Sequence, residues 1–173
     1  MTNPDGLFVS TLLQPGPDVS HFTCGKQALD QWLRGEALRA QRQGTARTYV
    51  WLKADVADIV VAYYSLCPTS VQAGGISRDT SGGHSVLPAY LLARLALDVH
   101  LQGRGFGSQL LADALERLDT ATTNYGGRII VVDAIDESVV PFYEKWGFRR
   151  IGETSRLYLA AKSLHALIAE KQA

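Results

Sequence analysis

The chain is poor in cysteine, with only Cys24 and Cys67 among its 173 residues, so no disulfide framework or four-ligand cysteine site can be built from it. Cys67, at a strand end before Pro68, is most simply a small buried hydrophobe. No window of about eighteen apolar residues exists, and no basic segment followed by an apolar run opens the chain, so neither a membrane span nor a secretory leader is expected. Charge of one sign is not in surplus either. Seventeen Lys and Arg against seventeen Asp and Glu leave no net field that would recruit a polyanion, although charge can still be segregated on one face. His21, His84, His100 and His165 are scattered, and no two stand at metal-ligand spacing, so no metal is expected. No linker separates two periodic blocks. These absences describe one cytoplasmic domain over residues 1–173, whose hydrophobic content of 46% suffices for one core.

What is present is an alternation of strand-like and helix-like segments. Ala28, Leu29, Trp32, Leu33 and Ala37 recur at helical spacing after a helix start near Thr23, in the most basic stretch of the chain. Residues 48–52 and 59–66 are β-branched and aromatic with a turn at 55–58, which predicts two antiparallel strands. The polar stretch from Gln72 to Pro88, with four glycines, reads as an internal loop open to a substrate-facing role. Leu95–Val99 forms a third strand, and Phe106, Leu110, Leu111, Ala114, Leu115 and Leu118 mark one face of a helix ending before the turn at 124–127. Residues 128–134 are apolar on both alternating faces, the pattern of an inner strand lying parallel to its predecessor across that helix. A short helix over about 137–146, ended by Gly147, two closing strands at 148–151 and 157–159, and a last helix from Ser163 complete a mixed α/β fold.

The most informative segment is Val99-His100-Leu101-Gln102-Gly103-Arg104-Gly105-Phe106-Gly107, between an apolar run and an amphipathic one. Three glycines let backbone turn tightly and approach a bound group, while the unpaired N–H donors of a helix's first turn point at a phosphate. The spacing therefore predicts an anion site.

Gln102-Gly103-Arg104-Gly105-Phe106-Gly107 after a Leu-Asp-Val strand, then Val132-Asp133-Ala134, then Pro141-Phe142-Tyr143-Glu144-Lys145-Trp146-Gly147-Phe148, resemble the GCN5-related N-acetyltransferases over most of the chain. That resemblance implies a central twisted sheet, mixed antiparallel and parallel, flanked by helices, with acetyl-CoA as cofactor. It implies that backbone amides over Gln102, Gly103, Arg104, Gly105, Phe106 and Gly107 cradle the pyrophosphate, with Arg104 adding charge, and that Leu97 and Val99 lie beside the pantetheine arm. A narrower likeness is carried by Phe22-Thr23-Cys24-Gly25, Arg47-Thr48-Tyr49-Val50, Ala62-Tyr63-Tyr64-Ser65-Leu66 and Leu92-Ala93-Arg94-Leu95-Ala96-Leu97-Asp98. These resemble the toxin acetyltransferases of type II toxin–antitoxin pairs, which acetylate the amino acid on charged tRNA. The likeness implies an aminoacyl-tRNA substrate, a ribbon-helix-helix antitoxin as partner and a homodimer.

Acetyl transfer from a thioester to an amine needs an uncharged amine, a stabilised oxyanion and a proton for the departing thiolate. By the resemblance Tyr143 supplies that proton, and an unperturbed phenol near pH ~10 is close enough to an alkyl thiol to do so. Packing beside Phe142 and Trp146 is the competing reading of this tyrosine. No residue presents itself as a general base. An α-amine next to an acyl group titrates near or below pH ~8, so it has a useful neutral fraction without one, unlike a lysine near ~10.4. Arg39, Arg42, Arg47, Arg78 and Arg94 are enough for a local RNA-binding patch, against the alternative that they solvate the surface or pair with carboxylates. The other acceptors in play are a small-molecule amine or a protein N-terminus. A non-catalytic coenzyme-binding module is a third class, against which the retained Tyr143 argues.

Overall fold

Among the residues that the computed structural model describes, 3–56 and 58–173, seven strands form one sheet accompanied by six α-helices. In chain order these are β1 (Phe8–Leu12), α1 (Gln27–Gly35), α2 (Ala37–Gln43), β2 (Arg47–Lys53), β3 (Val60–Gln72), α3 (Arg78–Ser81), β4 (Val86–Leu97), α4 (Phe106–Tyr125), β5 (Ile129–Asp133), α5 (Val140–Glu144), β6 (Arg149–Arg150), β7 (Arg156–Ala160) and α6 (Ala161–Gln172). The strand order is β1-β2-β3-β4-β5-β7-β6.

β2 and β3 pair antiparallel from Arg47↔Leu66 to Leu52↔Val60, with a bulge between Trp51 and Leu52, as the aromatic and β-branched pattern predicts. Position 57 of the turn between them lies outside the described residues. β5 pairs parallel with β4, from Ala89↔Ile129 to Leu92↔Val132, and antiparallel with β7. Its residues 129–132 are buried, which is why both of its alternating faces are apolar.

The chain divides into two compact units, and β3, β4 and α4 each run from one into the other. The first holds residues up to Cys67 together with Ala93–Ala114. One of its cores gathers Phe22, Leu33, Val50, Leu52, Tyr63 and Ala96, with Trp32 and Leu29 packed against it. In another cluster Phe8 stacks on Trp51 at 5.4 Å and meets Phe106 edge-on at 5.2 Å. There the buried Asp113 carboxylate of α4 accepts hydrogen bonds from Ser10 Oγ (2.5 Å) and Trp51 Nε1 (2.9 Å), tying the start of α4 to β1 and β2. The second unit holds Pro68–Leu92 and Leu115–Ala173, with a core of Val71, Leu87, Ala89, Ile129, Val131 and Tyr158.

Several expected boundaries move. β1 is unanticipated, because Phe8–Leu12 carries two hydroxyl side chains and owes its strand state to pairing with β2. The helical run from Ala28 is broken at Glu36, and Thr23 does not cap it: Lys26 is the N-cap, without a side-chain hydrogen bond. The expected 72–88 loop is shortened and divided, as β3 reaches Gln72, Ser77 caps α3 and β4 starts at Val86. α4 continues to Tyr125 before Gly126 and Gly127 (φ +82° and +128°) turn the chain. Pro141 favours a helix start, and the 137–146 segment divides into a 3-10 turn at Glu137–Val139 and α5. Gly147 does turn left-handed, at φ +92°.

Candidate functional site

The glycine segment lies between β4 and α4. Asp98 caps a 3-10 turn at Val99–Leu101, accepting from the amide of His100 (3.0 Å) and its ring Nδ1 (2.7 Å) on Oδ1, and from the amide of Thr23 (3.3 Å) on Oδ2. Burial by itself would raise the Asp98 pKa, but those donors outweigh it and hold the carboxyl below its ordinary value. Because this folded value is depressed, the turn's stabilisation is complete above the unfolded pKa and is lost as pH falls through the folded one.

After the turn, Gly103 and Gly105 adopt φ of +73° and +84°, the left-handed region. A Cβ at either would meet nothing within 4 Å, so conformation rather than crowding calls for glycine, and the front of the loop is open. α4 then begins at Phe106, and the first N–H groups of a helix have no partner within the helix itself. Open backbone donors at the positive end of a twenty-residue helix fit a pyrophosphate.

Gln102 has a role that the sequence did not disclose. Its side-chain Nε2 donates to Leu97 O and to Cys24 O, both at 2.8 Å. Together with Val99 N donating to Thr23 O (2.8 Å) and Thr23 N donating to Asp98, this bolts the loop to the Phe22–Gly25 segment. That segment is anchored in turn, since Cys24 N donates to the buried Asp30 (2.9 Å) and Arg34 Nη1 to Phe22 O (2.9 Å). The only hint in the sequence is Asp-x-His at 98–100, an Asx-turn pattern. Replacing Gln102 by Ala removes two donors and is expected to weaken acetyl-CoA binding about three- to tenfold. Gln102→Glu, which sets a carboxylate against two carbonyl oxygens, should be worse than Ala. Titration calorimetry with acetyl-CoA checks the order, and a Glu variant binding as well as the parent would rule the brace out.

The other expected binding residues divide. Gly107 and Phe106 are in the first turn of α4, with Phe106 buried. Leu97 is buried and its carbonyl receives Gln102, whereas Val99 exposes its side chain while its amide is engaged by Thr23. Arg104 is exposed, its guanidinium 5.3 Å from the Phe106 ring centroid. With Lys53, Asp55 and Phe8 it lines a cavity of about 450 Å³.

Tyr143 belongs to the second unit. It is buried on α5, where its ring meets Phe142 and Phe148 edge-on at 5.2 and 5.7 Å. Burial pushes its phenol up to about 12, above the unperturbed value assumed from the sequence. Among the described residues its hydroxyl has no hydrogen-bond partner. Aromatic packing and a protonated phenol thus coexist in one side chain.

Of the five arginines, Arg39, Arg42, Arg47 and Arg94 lie in the first unit and Arg78 in the second. Arg39 faces Glu36 at 3.6 Å, and Arg47 donates to Gln41 O (3.0 Å) near the end of α2. Arg42 and Arg78 are exposed, while Arg94 is half-buried with its guanidinium 4.0 Å above the Trp32 ring. On β3 the Ser65 hydroxyl is paired with Thr48 at 2.9 Å and is fully buried, so it offers nothing to an incoming amine. The Cys24 thiol is pushed up to about 11 by burial and by Asp30, which makes it a poor nucleophile. Among the described residues no three His, Cys, Asp or Glu side chains converge as a metal requires, and no helix is long and apolar enough to cross a membrane.

Comparison with known proteins bears on this geometry. Residues 36–157 match the model of the acetyltransferase (GNAT) domain. A tRNA-acetylating toxin of Mycobacterium tuberculosis (strain ATCC 25618 / H37Rv) is 36% identical over 156 residues, 88% of this chain and 92% of the relative. The structure of AtaT complexed with acetyl-methionyl-tRNAfMet superposes with a TM-score of 0.85 at 28% identity, over 93% of this chain and 99% of that one. A tyrosine-to-phenylalanine mutant of the AtaT toxin, bound to acetyl-CoA and the C-terminus of the antitoxin AtaR, gives 0.80 at 27% identity over 93% and 98%.

Proposed function

The chain belongs to the GNAT acetyltransferase family, and from this we propose that it is an acetyl-CoA-dependent N-acetyltransferase acting on the α-amine of aminoacyl-tRNA, as the toxin of a toxin–antitoxin pair. Acetylation of that amine removes the nucleophile on which peptide-bond formation depends, which blocks translation. The observation that carries the reading is the open left-handed loop at the start of α4 in a chain 36% identical to a tRNA-acetylating toxin.

Acetyl-CoA supplies an acyl group activated as a thioester. The amides around Gly103 to Gly107 bind its pyrophosphate, and the Gln102 and Asp98 contacts keep those amides in place. Tyr143 holds a proton across the physiological range and gives it to the departing thiolate, and the proton that the amine sheds on forming the amide passes to water and restores the phenol. The lack of a dedicated base suits an α-amine, which is partly neutral at pH 7 without assistance. The residues 1–173 act as one acetyltransferase domain, in the cytoplasm where charged tRNA is found. The partner is a small ribbon-helix-helix antitoxin, and the active form is a homodimer.

The test is incubation of the purified protein with labelled acetyl-CoA and total charged tRNA, followed by RNA digestion and mass spectrometry. Acetyl label on the amino acid of a charged tRNA is expected. Consumption of acetyl-CoA only when small amines or peptides are supplied would move the acceptor to those classes.

A further inference from the structure

Arg94 differs from the other arginines of its unit. Arg34, Arg39 and Arg47 each have a carbonyl or carboxylate partner, and Arg42 and Arg104 are exposed to solvent, Arg104 at a looser 5.3 Å from the Phe106 ring. Arg94 is half-buried on β4, yet among the described residues it makes no hydrogen bond and no ion pair. A desolvated guanidinium without a counter-ion is costly and is seldom retained without compensation. Burial lowers its pKa, although a guanidinium stays charged throughout the working range.

Its position is nonetheless fixed. The central carbon of the guanidinium stands over the Trp32 ring, 4.0 Å from its centroid, and Trp32 stacks with Tyr63 at 6.0 Å with 16° between the planes. Tyr63 is fully buried and is held by its own hydroxyl donating to Leu29 O at 2.8 Å. The aromatic stack therefore holds the guanidinium in place while its N–H donors have no partner among the described residues. Such a fork, ordered before any ligand arrives, matches two oxygens of a phosphodiester and loses little entropy on pairing with them.

We propose that Arg94, held over Trp32, is the phosphate anchor of the acceptor: it pairs two-pronged with one backbone phosphodiester of the charged RNA. The inference rests on the tRNA reading above and deepens it, by singling out one cation from a set that otherwise caps carbonyls, pairs with carboxylate or faces solvent. It also accounts for a chain with no net charge, since one ordered arginine supplies register that a diffuse basic surface does not.

The experiment measures binding of total uncharged tRNA by filter retention across a salt series, for the parent, Arg94→Ala and Arg94→Lys, with acetyl-CoA affinity as a parallel readout. For Arg94→Ala, tRNA affinity should fall about tenfold and the slope of log K against log salt should shrink by about one ion, while acetyl-CoA affinity is unchanged. Lys keeps the charge and the apolar stem over Trp32 but not the fork, so it should recover the slope and only part of the affinity. Should the Ala protein fail to fold, the Lys protein decides alone, and full affinity in it overturns the two-pronged contact. An unchanged slope and affinity in Arg94→Ala would overturn the proposal and leave Arg94 as a cover for Trp32. A parent that does not bind tRNA would be recognised before any variant is made, and would refute the substrate reading and the anchor together.

Discussion

Replacing Tyr143 by Phe is expected to lower turnover at least tenfold while leaving acetyl-CoA affinity near that of the parent. General acid catalysis is worth about 10²- to 10⁴-fold, and the substitution removes one oxygen from a ring that keeps its edge contacts with Phe142 and Phe148. The fold therefore loses little, because the hydroxyl has no hydrogen-bond partner among the described residues. Equal losses in kcat and in kcat/KM for the RNA would assign the oxygen to the transition state. A second readout follows from burial. With the phenol pushed up to about 12, the phenolate absorbance that separates parent from Tyr143→Phe should be absent at about pH 10, where a free tyrosine is half ionised. The pH profile should then show an acid limb set by the amine and no tyrosine limb before that point. Since the folded value is the higher one, the phenol's share of stability is complete below about pH 10 and disappears as pH rises toward 12. Unchanged turnover in the Phe variant would remove Tyr143 from the mechanism and return it to packing.

Gly105→Val is the second large effect. At φ +84° a β-branched residue is strained by about 1–3 kcal/mol, and no neighbour lies within 4 Å of where its Cβ would stand. The loop must relax out of the left-handed region, which swings the amides before α4 away from the pyrophosphate. Acetyl-CoA affinity is expected to fall at least tenfold, while the melting temperature drops by only a few degrees because the loop is exposed. Gly74→Ala is the control, for Gly74 has an ordinary φ and open space around its Cβ. It should leave acetyl-CoA affinity as it is. If Gly105→Val binds acetyl-CoA like the parent, the glycine loop is not the cofactor cradle.

The elements around the glycine loop were readable because their signals are local. Gly103 and Gly105 stand where a strand gives way to a helix, and the apolar run of β5 announced a strand buried on both faces. Phe106, Leu110, Leu111, Ala114, Leu115 and Leu118 are buried along one face of α4, as the helical period requires. β1 escaped notice because a five-residue strand with two hydroxyl side chains, Ser10 buried and Thr11 half-buried, is defined by its partner and not by its own pattern. The Gln72–Pro88 region looked like a loop because its polar residues and glycines mask a short capped helix between two long strands.

Most of the alternation of strands and helices, the glycine turn opening α4 and the family are legible from residues close together in the chain. Tertiary structure decided which polar groups were already committed. It placed Gln102 against Cys24 O, 78 residues away in sequence, raised the Tyr143 phenol by burying it, and laid Arg94 on Trp32 while Arg39 and Arg47 found partners nearby. Burial and hydrogen-bond partnership are properties of packing between distant segments, so a residue's type shows what it can do and only its packed surroundings leave it free to do so.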